Sequence, residues 1–297
     1  MTINHHNRVT TEGGTRCPVC GAAAKPALDL DVYVLWSCPD CGCWSSDALN
    51  RGAETSFEPS DYFENADADR DKWLELPRRM GESAARVESI LDVGCGNGAW
   101  LEFAARQFPS ARLAGVELDE ERAAQARTRN PEAVIHTGDA LASLEAIDTR
   151  FDLITMWDVF EHLTEPTRLL KAVRRLLTPG GMVYIQTIHE DSVLPRLGRV
   201  SYTLTGGRLK YPARRTHEAH HLVFFSRRGL DSAAGSADLE IHRVWFDRLS
   251  RDRMDGAPAV TWLTSALLHA ENALGNGLFI NLLLRAPAIE TAGGAPG

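Results

Sequence analysis

The chain has 297 residues, 44% hydrophobic and 24% charged, with a formal net charge of −8. That length buries a full core in one large domain or two smaller ones, and the acidic balance argues against nucleic acid as a partner, since phosphate contact needs a basic face. No apolar run approaches the roughly 18–20 residues that span a bilayer, and the polar start, Met1–Arg16, has no signal core, so the cytoplasm is the expected compartment.

Residues 1–16, with His5-His6, read as a disordered tail or a tag remnant. Cys17-Pro-Val-Cys20 and Cys38-Pro-Asp-Cys41 follow, separated by 17 residues. Each C-x-x-C sets two thiolates on one tight turn, and two such turns give the four sulfurs of a tetrahedral Zn²⁺ site. Cys17, Cys20, Cys38 and Cys41 are the expected ligands, with Cys43 a surplus thiol able to replace Cys41. Residues 17–45 therefore read as a zinc ribbon with a strand pair in Leu28–Trp36. Four protein ligands leave no position for substrate, so the zinc is expected to be structural. Residues 46–88 read as a polar linker with an aromatic anchor at Tyr62-Phe63, then a helix over Lys72–Glu88.

Residues 89–93 are apolar enough for a buried strand, and Gly94-Cys-Gly96-Asn-Gly98 turns it into a helix over Ala99–Phe108. Glycine lets the backbone turn tightly and approach a ligand, and the helix N-terminus offers free N–H groups. The run satisfies the dinucleotide pattern G-x-G-x-x-A. It also satisfies D-x-G-x-G-x-G, Asp92 to Gly98, and in that form resembles class I S-adenosylmethionine-dependent methyltransferases. The resemblance implies an α/β fold with a seven-stranded Rossmann-like sheet over 89–285, and S-adenosylmethionine as cofactor. It places Asp92 at the methionine end beside Gly94, Gly96 and Gly98, with Tyr62 bordering the pocket.

A second strand, Arg112–Glu117, ends in an acid suited to ribose hydroxyls, and Asp119 caps the next helix. The third, Ala133–His136, leads to Gly138-Asp139-Ala140. There the resemblance sets the Asp139 carboxylate on the adenine amino group and the adjacent amide, Ala140, on a ring nitrogen, while Asp139 also suits a helix cap. The fourth, Phe151–Trp157, brings Trp157 to the same crevice and enters Asp158-Val-Phe-Glu161-His162-Leu163. This run resembles the E-x-x-E-H-L of small-molecule methyltransferases, some relatives of which hold a divalent ion there. Asp158, Glu161 and His162 either do so or hydrogen-bond the loop. Thr164 is expected to cap a helix starting near Pro166, and Thr178–Gly181 to turn into a fifth strand, Met182–Ile185. Later strands are Leu239–Phe246 and Leu278–Leu284, the last antiparallel by resemblance, with helix-like Trp262–Ala270 between them and a tail at 286–297.

Residues 186–225 break the rhythm and read as an irregular lid. From Glu190 to Arg228 there are eight Lys/Arg against three acids, which fits either an anionic acceptor, phosphorylated or nucleotide-linked, or a solvated basic surface. His217-Glu-Ala-His220-His221-Leu-Val-Phe-Phe-Ser226 resembles the E-H-L-x-Y-F-S stretch of zinc-containing sugar C-methyltransferases, which also begin with C-x-x-C pairs; His220 replaces the glutamate. Removing a proton from an acceptor suits histidine, so His221, then His217, then His189 are the candidate bases. The expected activity is methyl transfer from S-adenosylmethionine to a small anionic or sugar-like metabolite. The alternatives are an RNA methyltransferase gripping through the ribbon, though Lys25 is the one basic residue in 17–45; a non-catalytic ribbon scaffold, against which Asp92, Glu117 and Asp139 speak; and a nicotinamide oxidoreductase, for which Asp139 has no purpose.

Overall fold

A computed structural model describes residues 15–48, 66–249, 254 and 257–287. His5-His6, the Tyr62-Phe63 anchor and most of the linker lie outside the described residues. At the N-terminal end β1 (Lys25–Asp29), β2 (Val34–Ser37) and β3 (Trp44–Ser46) form an antiparallel meander. Then come α1 (Ala66–Met80), β4 (Ser89–Val93), α2 (Ala99–Gln107), β5 (Arg112–Glu117), α3 (Glu120–Arg129), β6 (Val134–Thr137), α4 (Ala140–Ala146) and β7 (Phe151–Trp157). They are followed by α5 (Pro166–Arg175), β8 (Leu177–Ile188), α6 (Val193–Leu204), α7 (Tyr211–Thr216), β9 (Val223–Phe224), α8 (Arg227–Ser236), β10 (Glu240–Asp247), α9 (Pro258–Ala273) and β11 (Phe279–Arg285).

The main sheet runs β10-β11-β8-β7-β4-β5-β6. Strands β4 to β8 are parallel, and β11 is antiparallel to both its neighbours. Every residue of β4 is buried, as a central parallel strand covered by helices on both faces requires. Leu91 and Val93 join one core with Ile154, Met156, Val183 and Ile185; Ile90 joins the other with Leu153, Tyr184, Trp100 and Phe103. Strand order reverses at β4, so the carboxyl ends of β4, β5 and β7 border the crevice where open α/β sheets take ligands.

Four expectations change. The helix placed at 72–88 ends at Met80, because Gly81 turns left-handed at φ +60° and a 3₁₀ turn, Gly81–Arg86, follows. Glu165, not Thr164, precedes the first turn of α5, and no side chain caps it. The Thr178–Gly181 turn lies inside the long β8 as a register shift against β7. The lid is not irregular: it holds α6 and α7. Pro195 and Pro212 both fall in a first helical turn, where the missing N–H has no intrahelical partner to lose.

The ribbon is not a separate bead. β3 pairs with β9, giving a second sheet β1-β2-β3-β9, and Phe225 bridges to His189 beyond the end of β8. Cys17, Cys38 and Cys41 share one buried apolar cluster with the main sheet.

Gly98 shows how tightly the first crossover is packed. Its φ is +78°, and a Cβ there would sit 2.4 Å from Asn130 Nδ2 and 3.0 Å from the Ala126 backbone. Gly98→Ala is expected to lower unfolding stability by about 2–4 kcal/mol, combining left-handed strain with overpacking. Denaturant titration reads this, and a loss under about 0.5 kcal/mol would contradict the packing.

Candidate active site

The turn after β4 is built from glycines at φ +74° (Gly94), +53° (Gly96) and +78° (Gly98), which side-chain-bearing residues adopt only with strain. Gly94 and Cys95 both donate their N–H to Val116 O, at 2.7 and 3.0 Å, locking the turn to β5. Asp92, 2% exposed, accepts a 2.6 Å hydrogen bond from Thr155 Oγ1, which in turn accepts one from Trp100 Nε1. Burial pushes its carboxyl up to about 8, and the charge of Glu117 adds to the shift. Glu117 closes the opposite side: its carboxylate accepts from Gly96 N at 2.9 Å and Asp119 N at 3.0 Å. Four lone-pair positions on a carboxylate leave room for two further donors. Asp139 accepts from Ala142 N as the cap of α4, and Asp119 likewise caps α3. At the end of β7, Trp157 Nε1 is buried without a hydrogen-bond partner among the described residues. An orphaned donor there fits a polar group missing from the crevice.

The raised pKa of Asp92 has a defined sign. Between about pH 4 and pH 8 the folded chain holds a proton that the unfolded chain has released, so stability falls as pH rises through that window. Asp92→Asn is expected to shrink the drop in melting temperature between about pH 5 and pH 8. An unchanged slope would contradict the burial of this charge.

Beside the crevice a second group gathers. Ligand atoms of Glu161, His162 and His221 lie within 4.8 Å of one another, as do those of Glu218, His220 and His221. Glu161 accepts from Thr187 Oγ1 at 2.9 Å, and burial, then the charge of Asp158, pushes it up to about 8. Asp158 itself sits just past β7 at φ +51°. Burial, then the neighbouring imidazoles His162, His220 and His217, lower His221, so its ring is neutral at pH 7. His221 Nδ1 has no hydrogen-bond partner among the described residues. Glu218 and His220 join this group without being candidates on sequence grounds, although the run His217-Glu-Ala-His220-His221 displays them.

The three histidines proposed as bases do not converge. His217 is fully buried between Trp44 and Phe224, with Nε2 3.0 Å from Glu190 Oε2 and Nδ1 3.0 Å from Ala213 O. Glu190 also pairs with Arg199, whose guanidinium lies over Trp44 and supplies the positive charge, so His217 stays neutral, pushed down to about 4 by burial. His189 packs under Phe246, its Nε2 3.6 Å from Asp191 Oδ2. Only His221 lies in the Glu161–His162 group.

Cys17, Cys20, Cys38 and Cys41 converge as a set, with Sγ–Sγ distances of 3.6 Å (Cys17–Cys41) and 3.5 Å (Cys20–Cys38). Tetrahedral Zn–S bonds of about 2.3 Å place sulfurs about 3.8 Å apart, whereas a disulfide needs about 2.05 Å; the geometry fits a metal. Gly21 and Gly42, both left-handed, close the two knuckles by donating to Cys17 O and Cys38 O at 2.9 Å. Cys43 turns away to Ser226 Oγ, 3.9 Å distant.

A family model described as a methyltransferase domain matches residues 65–244, more than half of the chain. A ubiquinone biosynthesis O-methyltransferase of Pseudomonas fluorescens is 29% identical over 144 residues, which are 46% of this chain and 57% of that protein. One of Xanthomonas oryzae pv. oryzae is 31% identical over 121 residues, 38% and 50% of the two. The chain thus spans about half the length of the curated relatives it matches. Among solved structures, an S-adenosylmethionine-dependent methyltransferase from Clostridium acetobutylicum gives a TM-score of 0.52 at 14% identity, covering 76% of this chain and 95% of that one. The plantazolicin methyltransferase BamL, solved with a triazolic analogue and SAH, gives 0.52 at 12% identity, covering 77% and 91%. At such identities the likeness is one of fold.

Proposed function

The chain belongs to the methyltransferase-domain family, and from that membership we propose that it moves the methyl group of S-adenosylmethionine to a small anionic or sugar-like metabolite. The observation that carries the proposal is the convergence of Asp92, the Gly94–Gly98 turn and Glu117 at the carboxyl ends of β4 and β5. Asp92 holds the methionine ammonium, Gly94, Gly96 and Gly98 let the backbone approach, and Glu117 accepts from the ribose hydroxyls. Asp139 and the Ala140 amide read the adenine while Asp139 continues to cap α4, and Trp157 walls the crevice. The bound donor supplies a sulfonium methyl for in-line displacement, and the chain's task is to orient the acceptor and take its proton. His221, neutral and unpartnered at Nδ1 among the described residues, is the base.

One observation favours a second role for the same ring. The Glu161–His162–His221 group, with Asp158 beside it, has the oxygen and nitrogen donors of a divalent-ion site. Such an ion would lower the pKa of an acceptor hydroxyl. The four-cysteine set holds structural zinc.

Calorimetry with S-adenosylhomocysteine and with NADH tests the cofactor. The former is expected to bind and the latter not, and Asp139→Ala to weaken binding by about tenfold, the value of one hydrogen bond to a charged group. Binding of NADH overturns the family-based proposal; full affinity in Asp139→Ala overturns the adenine assignment. A screen of nucleotide-sugars and phosphorylated metabolites then finds the acceptor. With it, His221→Ala is expected to lose about 10²–10⁴-fold in kcat with cofactor affinity intact, and turnover that falls in EDTA and returns with Mg²⁺ while the zinc content stays unchanged separates the ligand role from the base role.

A further inference from the structure

Two helices at the carboxyl edge of the sheet turn apolar side chains outward. On α6, Leu197 (50% exposed), Val200 (51%) and Leu204 (81%) recur at i, i+3, i+7 and form one stripe. Leu209 and Tyr211 (69%) extend the apolar surface through the turn into α7. On α9, Val260, Leu263 and Leu267 make a second stripe, prolonged by Leu274 just past its end. The helices are joined: Glu271 of α9 accepts from Ser192 Oγ at 2.9 Å and Val193 N at 2.8 Å, at the start of α6. Isolated exposed leucines need no explanation, but two tied helices that both show apolar stripes do.

The charge around them selects the occupant. Residues 192–217 contain six Lys/Arg and no acid, in a chain of net charge −8. Arg199 is spent on buried Glu190, and Lys210 and Arg214 on Asp31. Arg196 and Arg215 remain at the surface with long ion pairs of 3.6 and 3.8 Å, and exposed Arg208 makes no ion pair among the described residues. A second copy meeting this face about a two-fold axis would set like charges against each other. An anionic lipid surface instead complements the arginines, takes the leucines below its headgroups, and seats Tyr211 at the interface, where such a ring is favoured.

We propose that α6, the turn after it and α9 form a docking surface for an anionic phospholipid bilayer, so that the chain lies on the membrane without crossing it. No helix among the described residues is long and apolar enough to cross one. The face includes α6 of the lid that also carries His217–His221, so docking brings the acceptor side of the crevice to the lipid surface.

The test is vesicle co-sedimentation of the full chain, with phosphatidylcholine alone and with about 30 mol% phosphatidylglycerol added. Arg208, whose charge no ion pair offsets among the described residues, predicts binding to the anionic vesicles stronger by about fivefold, with Arg196 and Arg215 adding to it only as their long pairs to Asp191 and Glu218 open, and the excess falls with salt. The double substitutions V200E/L204E and R196E/R208E are each expected to lower it at least about tenfold while S-adenosylhomocysteine binding, measured in parallel, is unchanged. That cofactor control keeps failure of docking distinct from failure of the crevice or of folding. Absence of binding to anionic vesicles, or binding indifferent to both double variants, overturns the proposal. So does a dimer in lipid-free buffer that V200E/L204E dissociates, which assigns the face to a second copy.

Discussion

Cys38→Ser is expected to reduce methyl transfer by on the order of a hundredfold while changing S-adenosylhomocysteine affinity less than about threefold. The cause is mechanical. Loss of one thiolate would open the proposed zinc site, and structural zinc is folding free energy, about 10–16 kcal/mol in isolated finger peptides. With the knuckles loose, β3 no longer holds β9, where Trp44 and Ser45 pair with Phe224 and Val223. The hydrogen-bond path is short: Ser46 N donates to Leu222 O at 2.9 Å, and Leu222 N donates to Glu161 O at 2.8 Å. Leu222 follows His221, so the ribbon sets the position of that ring against Glu161 and His162. Ser226 Oγ, bonded to Cys41 O at 2.5 Å, and Arg228, bonded to Pro39 O at 3.2 Å, tie the next helix to the same knuckle. The Gly94–Gly98 turn and Glu117 have no hydrogen bond to the ribbon among the described residues, so the cofactor end keeps its shape. Zinc content by metal analysis, turnover and calorimetry on one preparation check this. A zinc-free variant with full turnover would show that the ribbon does not position the lid.

Glu117→Ala is expected to weaken S-adenosylhomocysteine binding by about 10²–10⁴-fold. The carboxylate is assigned two ribose hydroxyls, and hydrogen bonds to a charged group contribute about 1.5–3 kcal/mol each. The substitution also strips the acceptor from Gly96 N, a donor inside the glycine turn, leaving it unpaired. Glu117→Gln separates the two effects, since its amide oxygen can accept from Gly96 N but its NH₂ faces Asp119 N, another donor. The expected order of affinity is wild type, then Gln, then Ala. Unchanged calorimetric affinity in Glu117→Ala would remove Glu117 from the cofactor site.

Much of this chain is legible one residue after another. A strand that ends in Asp-x-Gly-x-Gly-x-Gly, an acid closing the next strand and a C-x-x-C pair are local patterns. Turn geometry and the reach of paired thiols act between neighbours in sequence, and in the structure Gly94, Gly96 and Gly98 take left-handed turns, Glu117 accepts from Gly96 N and the four cysteine sulfurs converge. The alternation of β4 to β8 with helices likewise follows from short-range periodicity and right-handed crossovers. The helices of the lid are not legible from the rhythm of strands and helices, which residues 186–225 break; Pro195 and Pro212 fall in first helical turns, and Gly198 packs against Thr216 and Ala213, contacts that only the folded chain supplies.

What the tertiary structure alone decided are contacts between residues far apart in the chain. Trp44 lies opposite Phe224, Glu190 is shared by Arg199 and His217, and His221 stands with Glu161 and His162. Three histidines thereby acquire different surroundings: His217 is buried beside the Glu190 carboxylate, His189 packs against Phe246 with Asp191 near its Nε2, and His221 alone of the three stands with Glu161 and His162. Proton affinity depends on desolvation and nearby charge in three dimensions, and neither is a property of residue order.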